Sequence, residues 1–86
     1  MAKVTSYLAS GKPIVLAMDG EARELINSIG CGFATPTEDH QALATSIKEI
    51  YHLNSKDREQ MGIKGKKYYM ENLRRELLYN KLYEAL

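Results

Sequence analysis

The stretch with most chemical potential is Lys3-Val4-Thr5-Ser6-Tyr7-Leu8-Ala9-Ser10-Gly11-Lys12-Pro13, because it joins the start of a helix to a buried strand. The first turn of a helix presents backbone N–H groups without intrahelical partners, and together with the helix dipole they favour an anion such as a diphosphate. Lys3 adds a positive charge at that end. On a helical wheel Ser6 and Ser10 fall opposite the Val4, Leu8, Gly11 stripe, so they are expected to face a cleft while the stripe faces a sheet. Asp19 and Glu21 form a second polar group after the next apolar run, where open α/β sheets bind ligands. Two carboxylates repel a diphosphate, however, so a turn and helix-start role is favoured for the pair, with Glu21 kept as a weak binding candidate. His40 and His52 sit at helix ends and Cys31 reads as a small buried apolar residue.

These residues need a scaffold, and local spacing supplies one. Val4, Tyr7, Leu8 and Gly11 recur as one helix face, and Gly11-Lys12-Pro13 stops it. The run Pro13-Ile14-Val15-Leu16-Ala17-Met18 has strand length and no alternation, which suits a strand covered on both faces in a parallel sheet. Ala22, Leu25, Ile26 and Ile29 predict a helix before Gly30, and Cys31 to Thr35 a short strand closed by Pro36. The order helix, strand, helix, strand predicts a parallel sheet with a crossover connection. Beyond it the chain turns helical. Thr37 or Asp39 caps a helix with a Leu43, Ile47, Ile50, Tyr51 stripe ending near 52–54; Ser55 caps another running toward Asn72; Leu77, Leu78, Leu82 and Leu86 make a terminal helix. The 86 residues are thus read as a single partial domain, α/β over 1–36 and helical over 37–86. Two strands do not make a stable open sheet, so the chain is expected to be the C-terminal piece of something larger.

Composition removes several classes. Twelve basic and eleven acidic side chains give a net charge of +1, which supplies no global pull toward nucleic acid, and none is expected as a partner. Glu59, Glu71 and Glu76 dilute the basic segment Lys64, Lys66, Lys67, so a solvated helix face with Tyr68 turned inward is favoured there over a nucleic-acid or membrane patch. A single cysteine excludes an internal disulfide framework, and with two histidines it makes no zinc cluster. No apolar run approaches the roughly 20 residues of a membrane span and no signal peptide is legible, so the chain is read as cytoplasmic.

Lys-Val-x-Ser-Tyr-Leu-Ala-Ser-Gly-Lys-Pro-Ile-Val from Lys3, Asp19-Gly20-Glu21-Ala22, Gly30-Cys31-Gly32-Phe33, Asp39 with Ala42-Leu43-Ala44, and Asp57-Arg58-Glu59-Gln60-Met61-Gly62 together resemble the closing half of the C-terminal domain of a GT-B fold glycosyltransferase of group 1 (family 4). The resemblance implies half of a Rossmann-like domain, a nucleotide-sugar donor held by it, an N-terminal domain that completes the cleft, and transfer to a glycan or lipid-linked acceptor with retention. It assigns Lys3 and Val4 to the diphosphate. In many members a glutamate one residue before the Tyr-x-Ala-x-Gly-x-Pro stretch holds the ribose hydroxyls; Ser6 stands there in this chain and is left with a single hydrogen bond to offer. That variant resembles a branch working in surface-polysaccharide assembly, which implies a place for the parent at the inner face of the membrane. A UDP-sugar donor and no metal are expected, and the fragment alone is expected to be inactive and to self-associate through uncovered strand edges and apolar helix faces. The competing reading, from the shortage of acid, base and nucleophile clusters, is a non-catalytic α/β or helical protein-interaction module.

Overall fold

The computed structural model describes residues 2–85, apart from the side chains of residues 2, 3, 83 and 85. The elements run α1 Ala2–Ala9, β1 Ile14–Ala17, α2 Glu21–Ile29, β2 Gly32–Thr35, α3 His40–His52 and α4 Ser55–Ala85. The strands are parallel, in the register Ile14↔Gly32, Val15↔Phe33, Leu16↔Ala34 and Ala17↔Thr35. The ladder extends past both ends: Ile14 N–H donates to Cys31 O at 3.0 Å and Met18 N–H to Thr35 O at 2.9 Å. The fold is the expected α/β half-domain, with two short parallel strands, flanking helices and a helical C-terminal half.

The helix stripes assemble the core. Val4 and Leu8 of α1, Ile26 of α2, and Ile14, Cys31 and Ala34 around the strands form one buried cluster, and Tyr68 and Tyr69 of α4 pack against it. Ile26 and Cys31 are fully enclosed, and burial pushes the Cys31 thiol up from its ordinary value, a hydrogen bond with the backbone opposing it. Two glycines bring α4 onto this core. A Cβ on Gly62 would lie 1.9 Å from Gly11 O, and one on Gly65 3.1 Å from Cys31 Cβ, so hydrogen in place of a side chain is what allows the close approach. The neighbouring lysines have a use here. The Lys66 stem lies over Gly11, and Lys64 over Gly30, where its cation faces the C-terminal end of α2, the favourable end of a helix for positive charge.

Two boundaries and one helix face differ from expectation. Asn54, not Ser55, caps α4: its Oδ1 accepts from Asp57 N–H at 2.8 Å. Arg58 Nη1 then reaches back to Tyr51 O at 3.3 Å, which satisfies a carbonyl at the end of α3. Past Asn72 there is no break, and α4 is one helix of 31 residues, since no glycine or proline follows Asn72 to end it. Finally, α3 is rotated relative to the predicted stripe. Ser46 is buried with its Oγ donating to Ala42 O at 2.9 Å, Leu43 and Ile50 are half-buried, and Ile47 and Tyr51 are exposed. Asp39 caps α3 as expected, accepting from Ala42 N–H at 2.9 Å.

The two strand edges are unequal. In a parallel ladder alternate residues direct both backbone groups to the same side, so Ala34 of β2 and Val15 and Ala17 of β1 point away from the pairing. Asn27 of α2 closes the β2 side: its Nδ2 donates to Ala34 O and its Oδ1 accepts from Ala34 N–H, both at 3.0 Å. A side-chain amide thus stands where a third strand would be. The outer edge of β1 has the sequence Ile-Val-Leu-Ala, which carries none of the charges that blunt natural edges.

Candidate functional site

The helices α1 and α2 both start at the carboxyl ends of the strands, and their first turns face each other across an open groove of about 670 Å³. Val4 and Leu25 supply apolar walls, Glu21 and Glu24 an acidic rim, and Tyr68 and Asn72 of α4 close one side. Two of the four sequence-predicted site residues, Val4 and Glu21, therefore meet at one place. Ser6 is exposed on α1 and is not among the groove-lining residues. The Lys3 side chain lies outside the described residues, although its backbone belongs to the first turn of α1. Ser10 lies outside that groove and lines a separate shallow depression of about 370 Å³ with Tyr7, Lys12 and Val15. It follows α1, its Oγ donating to Tyr7 O at 2.6 Å and accepting from Lys12 N–H at 3.3 Å, and so finishes the helix that Gly11 turns away from.

Around the strand ends the charges are arranged for structure. Thr37 Oγ1 donates to Asp19 Oδ2 at 2.5 Å, Thr37 N–H donates to Asp19 Oδ1 at 3.2 Å, and Arg23 Nη1 to the same oxygen at 3.3 Å. The Thr37 hydroxyl first, then its N–H, hold the Asp19 carboxyl below its ordinary value against the opposing effect of desolvation, and the nearby Arg23 cation adds the smallest contribution. Asp19 thereby ties the loop after β1 to the loop after β2. The turn role expected for it is the one it has. Gly20, at φ 87°, precedes α2 with no side-chain cap, and the carboxylates of Glu21 and Glu24 in the first turn complement the positive end of the helix instead. His40 opens α3 and His52 closes it beside Tyr51, ring edge to ring face with centroids 5.7 Å apart.

Tyr68 and Asn72 as groove walls, and the Asn27 clamp, were not legible as site features. The only sequence signal for Asn27 is a carboxamide within a strongly amphipathic helix, seven residues before the strand position it serves. No group of three or more His, Cys, Asp or Glu side chains among the described residues is placed to hold a metal ion, and no helix there is long and apolar enough to cross a membrane.

A parallel β-α-β unit with its helix starts and groove at the carboxyl ends of the strands is the building block of the open α/β domains that bind nucleotides. Residues 3–68 match the family model of the glycosyl transferases group 1, so the chain belongs to that family and its fold is part of the family's Rossmann-like C-terminal domain. No curated protein and no solved structure matches it. Family membership carries glycosyl transfer in general, with a nucleotide-sugar as donor.

Proposed function

We infer that this chain is the C-terminal part of the donor-binding domain of a retaining hexosyltransferase, which moves a sugar from a UDP-sugar to a glycan or lipid-linked acceptor in surface-polysaccharide assembly, on the cytoplasmic side at the inner face of a membrane. The observation that carries the reading is the match beginning at Lys3, in the first turn of α1. Backbone N–H groups of that turn and the Lys3 ammonium receive the diphosphate, and stabilise it as it leaves with developing negative charge. Glu21 and Glu24 keep the diphosphate out of the groove, leaving the uncharged walls near Val4 to the neutral portion of the donor. Ser6 contributes one hydrogen bond toward the ribose. No metal takes part in this scheme. The N-terminal domain of the parent brings the acceptor and the rest of the cleft, so the fragment alone is inactive, and its uncovered β1 edge makes it self-associate.

The test is titration of this chain, and of a version extended upstream by the rest of the half-domain, with UDP and GDP while amide chemical shifts are followed by NMR. The reading requires shifts at Lys3 to Ser6 in the extended form, larger with UDP than with GDP. Silence of both forms toward both nucleotides would leave the family match as ancestry of fold alone.

A further inference from the structure

The groove beside the start of α1 has walls of a distinctive chemistry. At about 670 Å³ it has the size of a small-molecule site, and three helices line it. Val4 of α1 and Leu25 of α2 are aliphatic and Tyr68 of α4 is aromatic, while the Glu21 and Glu24 carboxylates and the Asn72 carboxamide are the polar groups. Neither glutamate has an ion-pair partner among the described residues. Asn72 Oδ1 accepts from Arg75 Nη2, so the amide is oriented and its Nδ2 hydrogens are left for a ligand. Asn72 also borders an adjoining hollow of about 170 Å³, where Glu76 adds a third carboxylate. No lysine or arginine lines either space.

We propose that this groove binds a neutral sugar ring. Only the source of the sugar rests on the glycosyltransferase reading. A pyranose combines hydroxyls, which donate to carboxylates and accept from an amide, with C–H faces that pack on aliphatic and aromatic side chains. A pyrimidine base fits less well. It presents two carbonyl oxygens and a single N–H, and the carbonyls would meet carboxylates that can only accept. A phosphate is repelled by the same carboxylates, with no cation in the lining to offset them. Two sources supply such a ring, the transferred sugar of the donor and a unit of the acceptor glycan, and the recognising chemistry is the same for both.

The experiment follows amide chemical shifts by NMR while the full chain is titrated with methyl glucoside, methyl galactoside, glucose 6-phosphate, UDP and UDP-glucose. At least one methyl glycoside should shift the amides of Glu24, Ser28 and Asn72. Glucose 6-phosphate should bind there about tenfold more weakly, the size of charge repulsion across a solvated groove. Asn72→Ala should weaken the glycoside by about threefold to tenfold, the loss of one hydrogen bond, and Glu24→Gln should narrow the gap between glycoside and phosphate, with the circular dichroism of both variants unchanged. Glucose 6-phosphate bound as tightly as the glycosides overturns the proposal. So does silence of the groove amides toward every sugar, or undiminished glycoside binding by Asn72→Ala together with an unchanged gap in Glu24→Gln. Where the ring is the donor's, UDP-glucose displaces the glycoside; where it is the acceptor's, the two bind together. UDP alone reports on the donor site through Lys3 to Ser6. A chain silent toward UDP that still takes the glycoside fails as a donor site and keeps the sugar groove, and the reverse result does the opposite.

Discussion

Replacing Gly62 by alanine sets two opposing effects of known size against each other. In the interior of a helix the change gains about 1 kcal/mol, because alanine loses less backbone freedom on folding. Against this, the new Cβ would lie 1.9 Å from Gly11 O, 2.6 Å from Gly11 C and 3.1 Å from Lys12 Cα. All three are backbone atoms of the turn between α1 and β1, so no rotamer change relieves the contact. Restoring an ordinary separation needs a retreat of roughly 1.5 Å, and that lifts α4 from Leu8 and Cys31, which it covers through Gly65. Overpacking of this kind costs about 1 to 3 kcal/mol, and more where backbone must move. The clash outweighs the propensity gain, and a net destabilisation of about 1 to 2 kcal/mol is expected. Gly65→Ala is the comparison. Its Cβ would meet Leu8 Cδ2 at 3.5 Å, an ordinary contact, and Cys31 Cβ at 3.1 Å, which asks for a shift of only tenths of an ångström, so strain and propensity gain offset each other and stability should stay within about 0.5 kcal/mol of the parent. Urea unfolding of the three chains, followed by circular dichroism, measures both. Gly62→Ala at or above the stability of the parent would refute the close approach of α4 to the α1–β1 turn.

Asn27→Leu should cost about 1 to 3 kcal/mol, two hydrogen bonds at roughly 0.5 to 1.5 each, and should remove the hydrogen-exchange protection of the Ala34 amide. Asn27→Asp, which keeps the acceptor and loses the donor, should keep that protection; equal exchange in the two variants would contradict the clamp. For Asp19 the sign follows from its lowered pKa in the folded chain: its contribution is present above the ordinary carboxylate range near about pH 4 and is lost as pH falls through the folded value. Thr37→Val, which removes the hydroxyl donor, should therefore destabilise the chain at neutral pH and by progressively less in acid, as unfolding curves across pH will show. Association through the β1 edge should depend on concentration in sedimentation and be suppressed by Val15→Lys. Suppression by Asn27→Asp instead would place the contact at the other edge.

The order of elements was legible because each is written in short-range spacing. The unalternating Ile14 to Ala17 run, the helical repeat ending at Gly30, and the stops at Gly11, Pro13 and Pro36 need only neighbouring residues to act. The proposal of an anion at the start of α1 rests on the same local grammar. Helix ends were less secure where two candidates stood side by side, as with Asn54 and Ser55, and where a change in side-chain character at Asn72 suggested a break that no glycine or proline enforces.

What the tertiary structure decided lies between residues far apart in the chain. Asn27 closes one strand edge because α2 crosses beside β2, Thr37 and Asp19 meet because parallel strands end together, and Val4 and Glu21 share a groove because two helices begin at the same side of the sheet. Periodicity within a helix also left open which of its faces would find a partner, so α3 turned Ser46 inward and Ile47 outward, and α4 packed through Gly62, Gly65 and Tyr68 while Met70 and Leu77 stayed exposed. Local sequence determines where hydrogen bonds can run along the chain; which surfaces are then covered depends on the packing of all the elements at once.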